Sequence, residues 1–229
     1  VCGSYRPRGG TSPAAEKGSR IHSALELGDI TSLVDEEERI IAQKCADYLE
    51  KIKEANGGEP DSIHNEVRLD VNLGVGEKTF GTCDVVWIYG DRAVLVDYKT
   101  GYGAVDDAEI NCQAWAYTIG VFQKFNVREV DFFFLLPVRD EVSFATFTRE
   151  RLPEMKLRLQ VIIARAKAGG HFNPQPGVCD YCGNKANCKP LAEKALVIAN
   201  QYSEGFKLPK NFVASLSEND DPESLSQLL

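Results

Sequence analysis

The sequence lacks any run of about 20 consecutive apolar residues, the length that a helix needs to cross a lipid bilayer. It also lacks a basic segment followed by an apolar one at its start, which is the pattern of a secretory signal. Because both features are missing, we expect a cytoplasmic protein. The chain opens on Val1 rather than Met, which leaves open whether a targeting segment precedes that residue.

The sequence also lacks a net positive charge. The chain has 26 Lys and Arg against 34 Asp and Glu, and this net charge of -8 excludes a simple histone-like or polybasic binder of nucleic acid. The charge is segregated, however: residues 1–25 hold four basic and one acidic side chain, and residues 151–195 hold eight and three. Residues 26–150 hold 12 basic and 25 acidic side chains. We expect the two basic blocks to form one patch if the chain ends meet; solvated helix faces are the plainer interpretation.

The sequence has no internal repeat, and its length of 229 residues suits one domain with a small appendage. The order of apolar patterns predicts an α/β fold in which helices flank a mixed central β-sheet, with the first three strands antiparallel. Helices are predicted over residues 14–27, 35–54, 106–125, 149–168 and 190–202, and strands around residues 67–71, 85–88, 94–96, 130–136 and 142–147. The predicted division is a core with N-terminal helices (1–170), a Cys-rich metal module packed with the N-terminus (171–203) and an acidic, flexible tail (204–229).

Acidic and basic side chains meet near the end of one predicted strand. Asp97 and Lys99 are two residues apart, so both project from the same face of the strand. A carboxylate that holds a hard divalent cation, beside an ammonium that orients water or stabilises charge on phosphorus, suits phosphodiester hydrolysis. An ion pair on the strand surface is the alternative. Asp84, on the preceding strand, is expected beside Asp97, and Glu66 is a third acidic ligand, a partner of one, or an ordinary polar strand residue.

Four motifs in this order resemble those of the PD-(D/E)xK nuclease superfamily, in particular its RecB-type exonuclease branch. That branch includes CRISPR adaptation nucleases and phage exonucleases, and its motifs are Gly-x-x-x-His, Gly-x-x-Asp, Asp/Glu-x-Lys and Gln-x-x-x-Tyr. The matching segments are Gly18-Ser19-Arg20-Ile21-His22, Gly81-Thr82-Cys83-Asp84, Asp97-Tyr98-Lys99 and Gln113-Ala114-Trp115-Ala116-Tyr117. Together they cover residues 18 to 117, and the resemblance implies a core like that of restriction endonucleases.

The resemblance also implies a role for each matching residue. His22, Asp84 and Asp97 would coordinate Mg²⁺ or Mn²⁺, with the backbone carbonyl of Tyr98 as a further ligand. The histidine favours Mn²⁺, because imidazole is softer than a carboxylate oxygen. Lys99 would be the catalytic lysine. Gln113 and Tyr117 share one helix face, where they would bind a phosphate or position the lysine.

The seven cysteines divide into two groups. Cys45, Cys83 and Cys112 lie in predicted helices and a strand, where packing in the core is expected. Three thiols, by contrast, fall within ten residues of a loop, which indicates a metal site whose fourth candidate ligand is Cys2. In the iron-sulfur subset of RecB-like nucleases, a similar pattern holds a [4Fe-4S] cluster; tetrahedral Zn²⁺ is the rival. The loop thiols are Cys179, Cys182 and Cys188.

The function predicted from these patterns is a metal-dependent DNA exonuclease, more readily than an endonuclease. We expect it to act at DNA ends or on single strands, in phage or bacterial recombination, repair or processing, within the bacterial host cell if phage-encoded. A recombination or helicase partner and an oligomer are compatible with this role. Two alternatives stay open: a catalytically inactive nucleic-acid-binding or assembly protein on the same scaffold, and a zinc-stapled interaction domain. The candidate DNA contacts are Arg6, Arg8, Arg165, Lys167, Lys185 and Lys189.

Overall fold

The structure is a computed structural model that describes residues 2, 12–74, 76–169, 172–174, 179 and 182–202, with the side chains of the last segment described as far as residue 197. The chain divides into two compact units. The larger unit comprises residues 11–161, and the smaller unit combines residues 1–10 with residues 162–229. The division at residues 170 and 203 stays a prediction. Arg6 and Arg8 lie outside the described residues, as does the tail from residue 204.

The larger unit is a mixed α/β structure built on a five-stranded sheet. The strands lie in the order β1 to β5, and β3 and β4 are parallel while the other neighbouring pairs are antiparallel. The first three strands therefore form the predicted antiparallel meander, with Gly90 and Asp91 at its second turn. The strand bounds are β1 Ser62–Gly74, β2 Glu77–Tyr89, β3 Arg92–Tyr98, β4 Glu129–Leu136 and β5 Glu141–Thr148.

Two N-terminal helices begin within one residue of their predicted starts, each after a capping side chain. The Ser12 hydroxyl accepts a hydrogen bond from the Ala15 N–H, so α1 spans Pro13–Leu27. The Asp35 carboxylate accepts one from the Glu38 N–H, so α2 spans Glu36–Ala55. The remaining helices are α3 Cys112–Lys124, α4 Leu152–Ala168 and α5 Lys189–Tyr202.

The predicted helix over residues 106–125 begins later than expected. The side chain of Asn111 accepts hydrogen bonds from the N–H groups of Gln113 and Ala114, so α3 starts only at Cys112. The prediction that Cys112 packs in the core is wrong for the same reason. This residue occupies the first helical position, ahead of the apolar stripe, and its side chain is exposed, whereas Cys45 and Cys83 are buried.

The core lies on both faces of the sheet. On one face, Cys45 and Ile52 of α2 pack against a cluster that includes Trp87, Val96 and Tyr98. Because side chains alternate along β3, Asp97 points to the opposite face, where α3 packs. Close packing there depends on Gly120, since a Cβ at this position would lie 2.8 Å from the Cβ of Leu69. The catalytic candidates thus lie between two packed layers, at one end of the central strands.

The described part of the smaller unit contains α5 and a series of turns. The Cys182 N–H donates to the Cys179 carbonyl at 3.1 Å, the Lys185 N–H to the Cys182 carbonyl at 3.1 Å, and the Cys188 N–H to the Lys185 carbonyl at 3.3 Å. Cys188 then leads directly into α5. Among the described residues, no helix has both the length and the apolar character needed to cross a membrane.

Candidate metal and phosphate site

Asp84 occupies the point where β2 separates from β3. The pairing of these strands ends at Val85 and Val96, so the N–H of Tyr98 has no partner on the β2 backbone. The carboxylate of Asp84 takes its place: Oδ2 accepts a hydrogen bond of 2.6 Å from the Tyr98 N–H. The second oxygen, Oδ1, points away from this bond and toward α1. Asp84 is therefore both buried and fixed in orientation.

His22 approaches Asp84 from α1. Its Nδ1 lies 3.0 Å from Oδ1 of Asp84, and its ring packs edge to face on Tyr98, with the centroids 5.4 Å apart. One turn earlier on the same helix, Gly18 faces the segment that follows β3. A Cβ on Gly18 would lie 3.4 Å from Oγ1 of Thr100, an ordinary van der Waals contact, so α1 passes close to this segment at the turn before His22.

Glu66 completes a group of three potential cation ligands. One ligand atom from each of His22, Glu66 and Asp84 can be chosen so that all three lie within 4.8 Å of one another. Among the described residues, no other set of three such side chains comes together in this way. One imidazole nitrogen and two carboxylates match the ligands that Mn²⁺ accepts, so the donor set fits the predicted cation.

The backbone of Glu66 is unusual. Its φ is +47°, a left-handed conformation that costs a non-glycine residue about 1–3 kcal/mol. The strand changes faces at this residue: Ile63 and Asn65 line the pocket beside α2, while Leu69 and Val71 pack under Gly120 of α3. The strain is therefore linked to the turn that brings the Glu66 carboxylate toward His22 and Asp84.

The repulsion between the two carboxylates of this group favours a bound cation. Burial, together with the charge of Asp84, raises the pKa of Glu66 above its ordinary value. Burial alone would lower the pKa of His22, but the hydrogen bond and the charge of Asp84 outweigh it and raise this pKa. A divalent cation between Glu66 and Asp84 would offset the repulsion that contributes to the raised pKa of Glu66.

Asp97 and Lys99 begin a second group, which continues onto α3. The Lys99 Nζ lies 2.6 Å from Oδ2 of Asp97 and donates a hydrogen bond of 2.7 Å to Oε1 of Gln113. The Gln113 amide donates in turn to Oδ1 of Asp97 at 2.8 Å and to the Tyr117 hydroxyl at 3.0 Å. The predicted pairs, two apart on a strand and four apart on a helix, thus come together in one network. The Phe134 ring, with its centroid 5.1 Å from Nζ, supports the lysine.

Asp97 retains an unsatisfied oxygen in this network. Oδ2 takes no hydrogen bond of good geometry from any described residue, although the Lys99 ammonium lies beside it. Burial raises the pKa of Asp97 to about 6, with the charge of Asp84 adding to the rise and that of Lys99 opposing it. Asp97 therefore keeps a lone pair that a cation could use, while Lys99 and Gln113 hold the carboxylate.

Gly81 connects two of the motifs. A Cβ on Gly81 would lie 2.5 Å from Cε1 of Tyr117, closer than side chains approach in folded proteins. The glycine of the Gly-x-x-Asp motif is thus the surface on which the tyrosine of the Gln-x-x-x-Tyr motif packs. Burial raises the pKa of Tyr117 to about 12, so its hydroxyl stays protonated near neutral pH.

Replacing Gly81 should disturb this contact. In Gly81→Ala the new methyl group displaces the Tyr117 ring and weakens its hydrogen bond with Gln113. We expect the free energy of unfolding in urea to fall by about 1–3 kcal/mol. Gly101→Ala is the matched control, because a Cβ there meets no atom within 4 Å. Equal stability of the two variants would contradict the packing described for Tyr117.

A pocket of about 200 Å³ opens beside the three cation ligands. Trp87, Lys53 and Tyr98 are among the other residues that line it. The Lys53 ammonium lies 5.5 Å from the Trp87 ring centroid. The cation candidates thus line an accessible pocket.

The sequence matches a protein family over almost its whole length. Residues 10–227 match the family described as "Protein of unknown function (DUF2800)". The chain belongs to this family. No curated protein matches this DUF2800 member. Among solved structures it is similar to a candidate exonuclease from Eubacterium rectale, with 14% identity, a TM-score of 0.41, and coverage of 88% of this chain and 78% of that one. It is also similar to the protein SSO0001, with 16% identity, a TM-score of 0.30, and coverage of 76% and 81%.

The predicted site residues of this DUF2800 protein fall into three sets. His22, Glu66 and Asp84 form the cation group, and Asp97, Lys99, Gln113 and Tyr117 form the network beside it. The backbone N–H of Tyr98 joins the two through Asp84, whereas its carbonyl stays a predicted ligand. The third set is Cys2, Cys179, Cys182 and Cys188, which belong to the smaller unit and are half-buried without disulfides. The four thiols do not form a group with ligand atoms within 4.8 Å.

Proposed function

We propose that this protein is a divalent-metal-dependent deoxyribonuclease that hydrolyses phosphodiester bonds, acting as an exonuclease. The observation that carries the proposal is that one buried side chain, Asp84, connects the cation group with the network around Lys99. Asp84 contacts His22 through Oδ1, and through Oδ2 it binds the backbone between Asp97 and Lys99. A cation site and a lysine are thereby fixed side by side. A chain that only binds nucleic acid needs no such pairing of buried acids with a lysine.

The residues of the site divide the chemistry between them. His22, Glu66 and Asp84 would hold the cation, with Asp97 adjacent; when bound, the cation polarises the phosphate and lowers the pKa of a coordinated water. Lys99 supplies a fixed positive charge for the phosphate oxygens or for the attacking water. Gln113 holds the ammonium and the Asp97 carboxylate at once, which restricts Lys99 to one direction.

The resemblance to RecB-type exonucleases supports the choice of DNA and of action at ends or on single strands. It also supports a role in phage or bacterial recombination, repair or processing, in the cytoplasm, with a recombination or helicase protein as a partner or with further copies of the chain. In the described residues, Arg165, Lys167, Lys185 and Lys189 belong to the basic block of the smaller unit. In a protein of net charge -8, such basic stretches would favour contact with the DNA backbone.

We also propose that Cys2, Cys179, Cys182 and Cys188 hold a [4Fe-4S] cluster, with Zn²⁺ as the rival. The turn closed between Cys179 and Cys182 is what a Cys-x-x-Cys chelate requires, since it brings the two residues onto one side of the loop. Cys2 belongs to the same compact unit, which supports its inclusion. Metal analysis of anaerobically purified protein distinguishes the two: iron and sulfide with a brown colour favour the cluster, and a colourless protein with one zinc excludes it.

A cleavage assay tests the proposed activity. Single- and double-stranded oligonucleotides labelled at either end are incubated with the protein in Mn²⁺, in Mg²⁺ or in EDTA. We expect cleavage with either metal, faster with Mn²⁺, and none in EDTA. Release of single labelled nucleotides from one end identifies an exonuclease, whereas a ladder of internal products identifies an endonuclease. The absence of cleavage under every condition would favour a catalytically inactive nucleic-acid-binding or assembly protein.

A further inference from the structure

A row of exposed side chains leads away from the cation group along β1 and β2. Beyond Glu66 and Asp84, the facing pairs are Arg68 with Thr82, Asp70 with Phe80, and Asn72 with Lys78. All six side chains are exposed, while those between them on β1 are buried. Residues two apart share one face of a strand, so the row and the cation group follow the same two strands.

Among the described residues of the larger unit, no helix covers this face of the hairpin, since its side chains are exposed. Leu69 and Val71 pack under α3, and Gly81 packs against Tyr117, so the alternate residues point away from α3. Helix α2, which covers the same side of the sheet further along, packs against residues such as Val85 and Trp87 instead. The exposed row therefore begins where the covered part of the sheet ends.

Phe80 is the central feature of the row. Its side chain is 62% exposed, although aromatic rings of this size are usually buried. The Arg68 guanidinium stacks over the ring, with Cζ 3.8 Å from the centroid, and Nε of Arg68 lies 3.2 Å from Oδ1 of Asp70. A groove of about 400 Å³ lies beside Arg68 and Phe80. Its other lining residues include Asn72, Lys78 and Gln123.

The edge strand that carries Arg68 is held rigidly. The Gln123 side chain accepts a hydrogen bond from the Asn72 N–H at 2.9 Å and donates one to the Asn72 carbonyl at 2.8 Å. Lys124 adds a longer contact of 3.4 Å to the Arg68 carbonyl. These contacts from the end of α3 occupy backbone groups that an edge strand would otherwise expose, and they fix the surface next to Phe80.

We propose that this face binds single-stranded DNA, with a base stacked on Phe80 and Arg68 and the strand leading to the cation group. The choice of DNA rests on the proposed function. An exposed ring with a guanidinium on it offers the stacking surface that unpaired bases use, and Arg68 and Lys78 supply positive charge for the backbone. Asp84 lies four positions after Phe80, about 13 Å along an extended strand, so the stacked base lies a few nucleotides from the cleaved bond.

The chemistry favours a single strand over a duplex or a second copy of the chain. In a duplex the bases are already stacked on each other, so Phe80 would gain little from them. A self-association surface would be expected to be more apolar, whereas charged and amide side chains surround this ring. The basic residues and the continuity with the cation group both fit a nucleic acid strand that runs along the hairpin.

The test measures binding without cleavage. Fluorescence anisotropy in EDTA compares a labelled oligothymidylate with an abasic oligomer of the same length and charge. We expect Phe80→Ala to bind oligothymidylate about tenfold more weakly than the wild type, because stacking on an aromatic side chain contributes at about this level per base. Binding of the abasic oligomer should be the same for both proteins. Phe144→Ala is the matched control: this ring is 52% exposed on β5, the other edge of the sheet.

Each outcome decides a separate question. Wild-type affinity of Phe80→Ala for oligothymidylate, an equal loss in Phe144→Ala, or no binding by the wild type would overturn the proposal. Light scattering on the same proteins adds one arm: a dimer that Phe80→Ala dissociates would assign the face to self-association and also overturn it. Because binding is measured in EDTA, loss of binding in Phe80→Ala supports this surface even if the wild type fails to cleave DNA, and only the proposed activity would then fall.

Discussion

Lys99→Ala should reduce the rate of metal-dependent DNA cleavage by about 1,000-fold while leaving Mn²⁺ affinity close to that of the wild type. The ammonium is held by Asp97 and Gln113 and has no contact with His22 or Glu66 among the described hydrogen bonds and ion pairs. Its loss therefore removes positive charge at the phosphate without removing a cation ligand. Single-turnover cleavage rates and calorimetric Mn²⁺ titration measure the two effects separately.

Two further variants keep this result interpretable. Lys99→Ala leaves the Asp97 carboxylate buried without a cation and is expected to lower stability, so Lys99→Arg serves as a variant that retains the charge. Circular dichroism and thermal unfolding should show that Lys99→Arg folds like the wild type. It should nevertheless be inactive, because a guanidinium is too large to make the contacts that the ammonium makes with Asp97 and Gln113. Lys156→Ala, on α4, is the control for removal of a lysine elsewhere. Cleavage at the wild-type rate by Lys99→Ala would show that Lys99 has no catalytic role.

Glu66→Gly should increase the stability of the metal-free protein and reduce its affinity for Mn²⁺. Glycine adopts φ of +47° without the steric cost that glutamate bears, and the change also removes a carboxylate from beside Asp84. We expect the free energy of unfolding in EDTA to rise by about 1 kcal/mol, which corresponds to a melting temperature about 2–4 °C higher. Mn²⁺ affinity should fall by about 100-fold through the loss of one ligand.

Asp140→Gly is the control for the effects of Glu66→Gly on stability and on Mn²⁺ affinity. Asp140 is the other described non-glycine residue with positive φ, at +53°, in the turn between β4 and β5. Its carboxylate forms an ion pair of 2.5 Å with Lys44, far from the cation group in the sequence. Replacement should leave Mn²⁺ affinity unchanged. If Glu66→Gly bound Mn²⁺ as tightly as the wild type, Glu66 would be excluded as a ligand; if it were less stable in EDTA, the strain attributed to its backbone would be absent.

Local periodicity predicts a large part of the site. The two-residue spacing of Asp97 and Lys99 and the four-residue spacing of Gln113 and Tyr117 are geometric consequences of a strand and a helix. The contacts within each pair follow from them. The caps at Ser12 and Asp35 likewise place α1 and α2 within a residue or so of their predicted starts.

Features that depend on tertiary structure could not be predicted from the sequence. Nothing in the sequence around Glu66 signals a left-handed residue inside a strand, because the conformation results from β1 changing faces between α2 and α3. Gly81 and Tyr117 are 36 positions apart in the sequence, and they come into contact only because α3 packs on β2. The exposure of Cys112 was missed because the apolar stripe continues past the point where Asn111 caps the helix.

The most direct test of the central claim is the dependence of DNA cleavage on Mn²⁺ concentration in wild type and Asp84→Asn. The claim is that His22, Glu66 and Asp84 hold the cation on which hydrolysis depends. Asparagine keeps the size of the side chain but removes its charge, and Asp47→Asn, on the exposed face of α2, is the matched control. We predict saturable cleavage by the wild type and by Asp47→Asn, and none by Asp84→Asn at any Mn²⁺ concentration. Cleavage by Asp84→Asn with the wild-type rate and Mn²⁺ midpoint would contradict the claim.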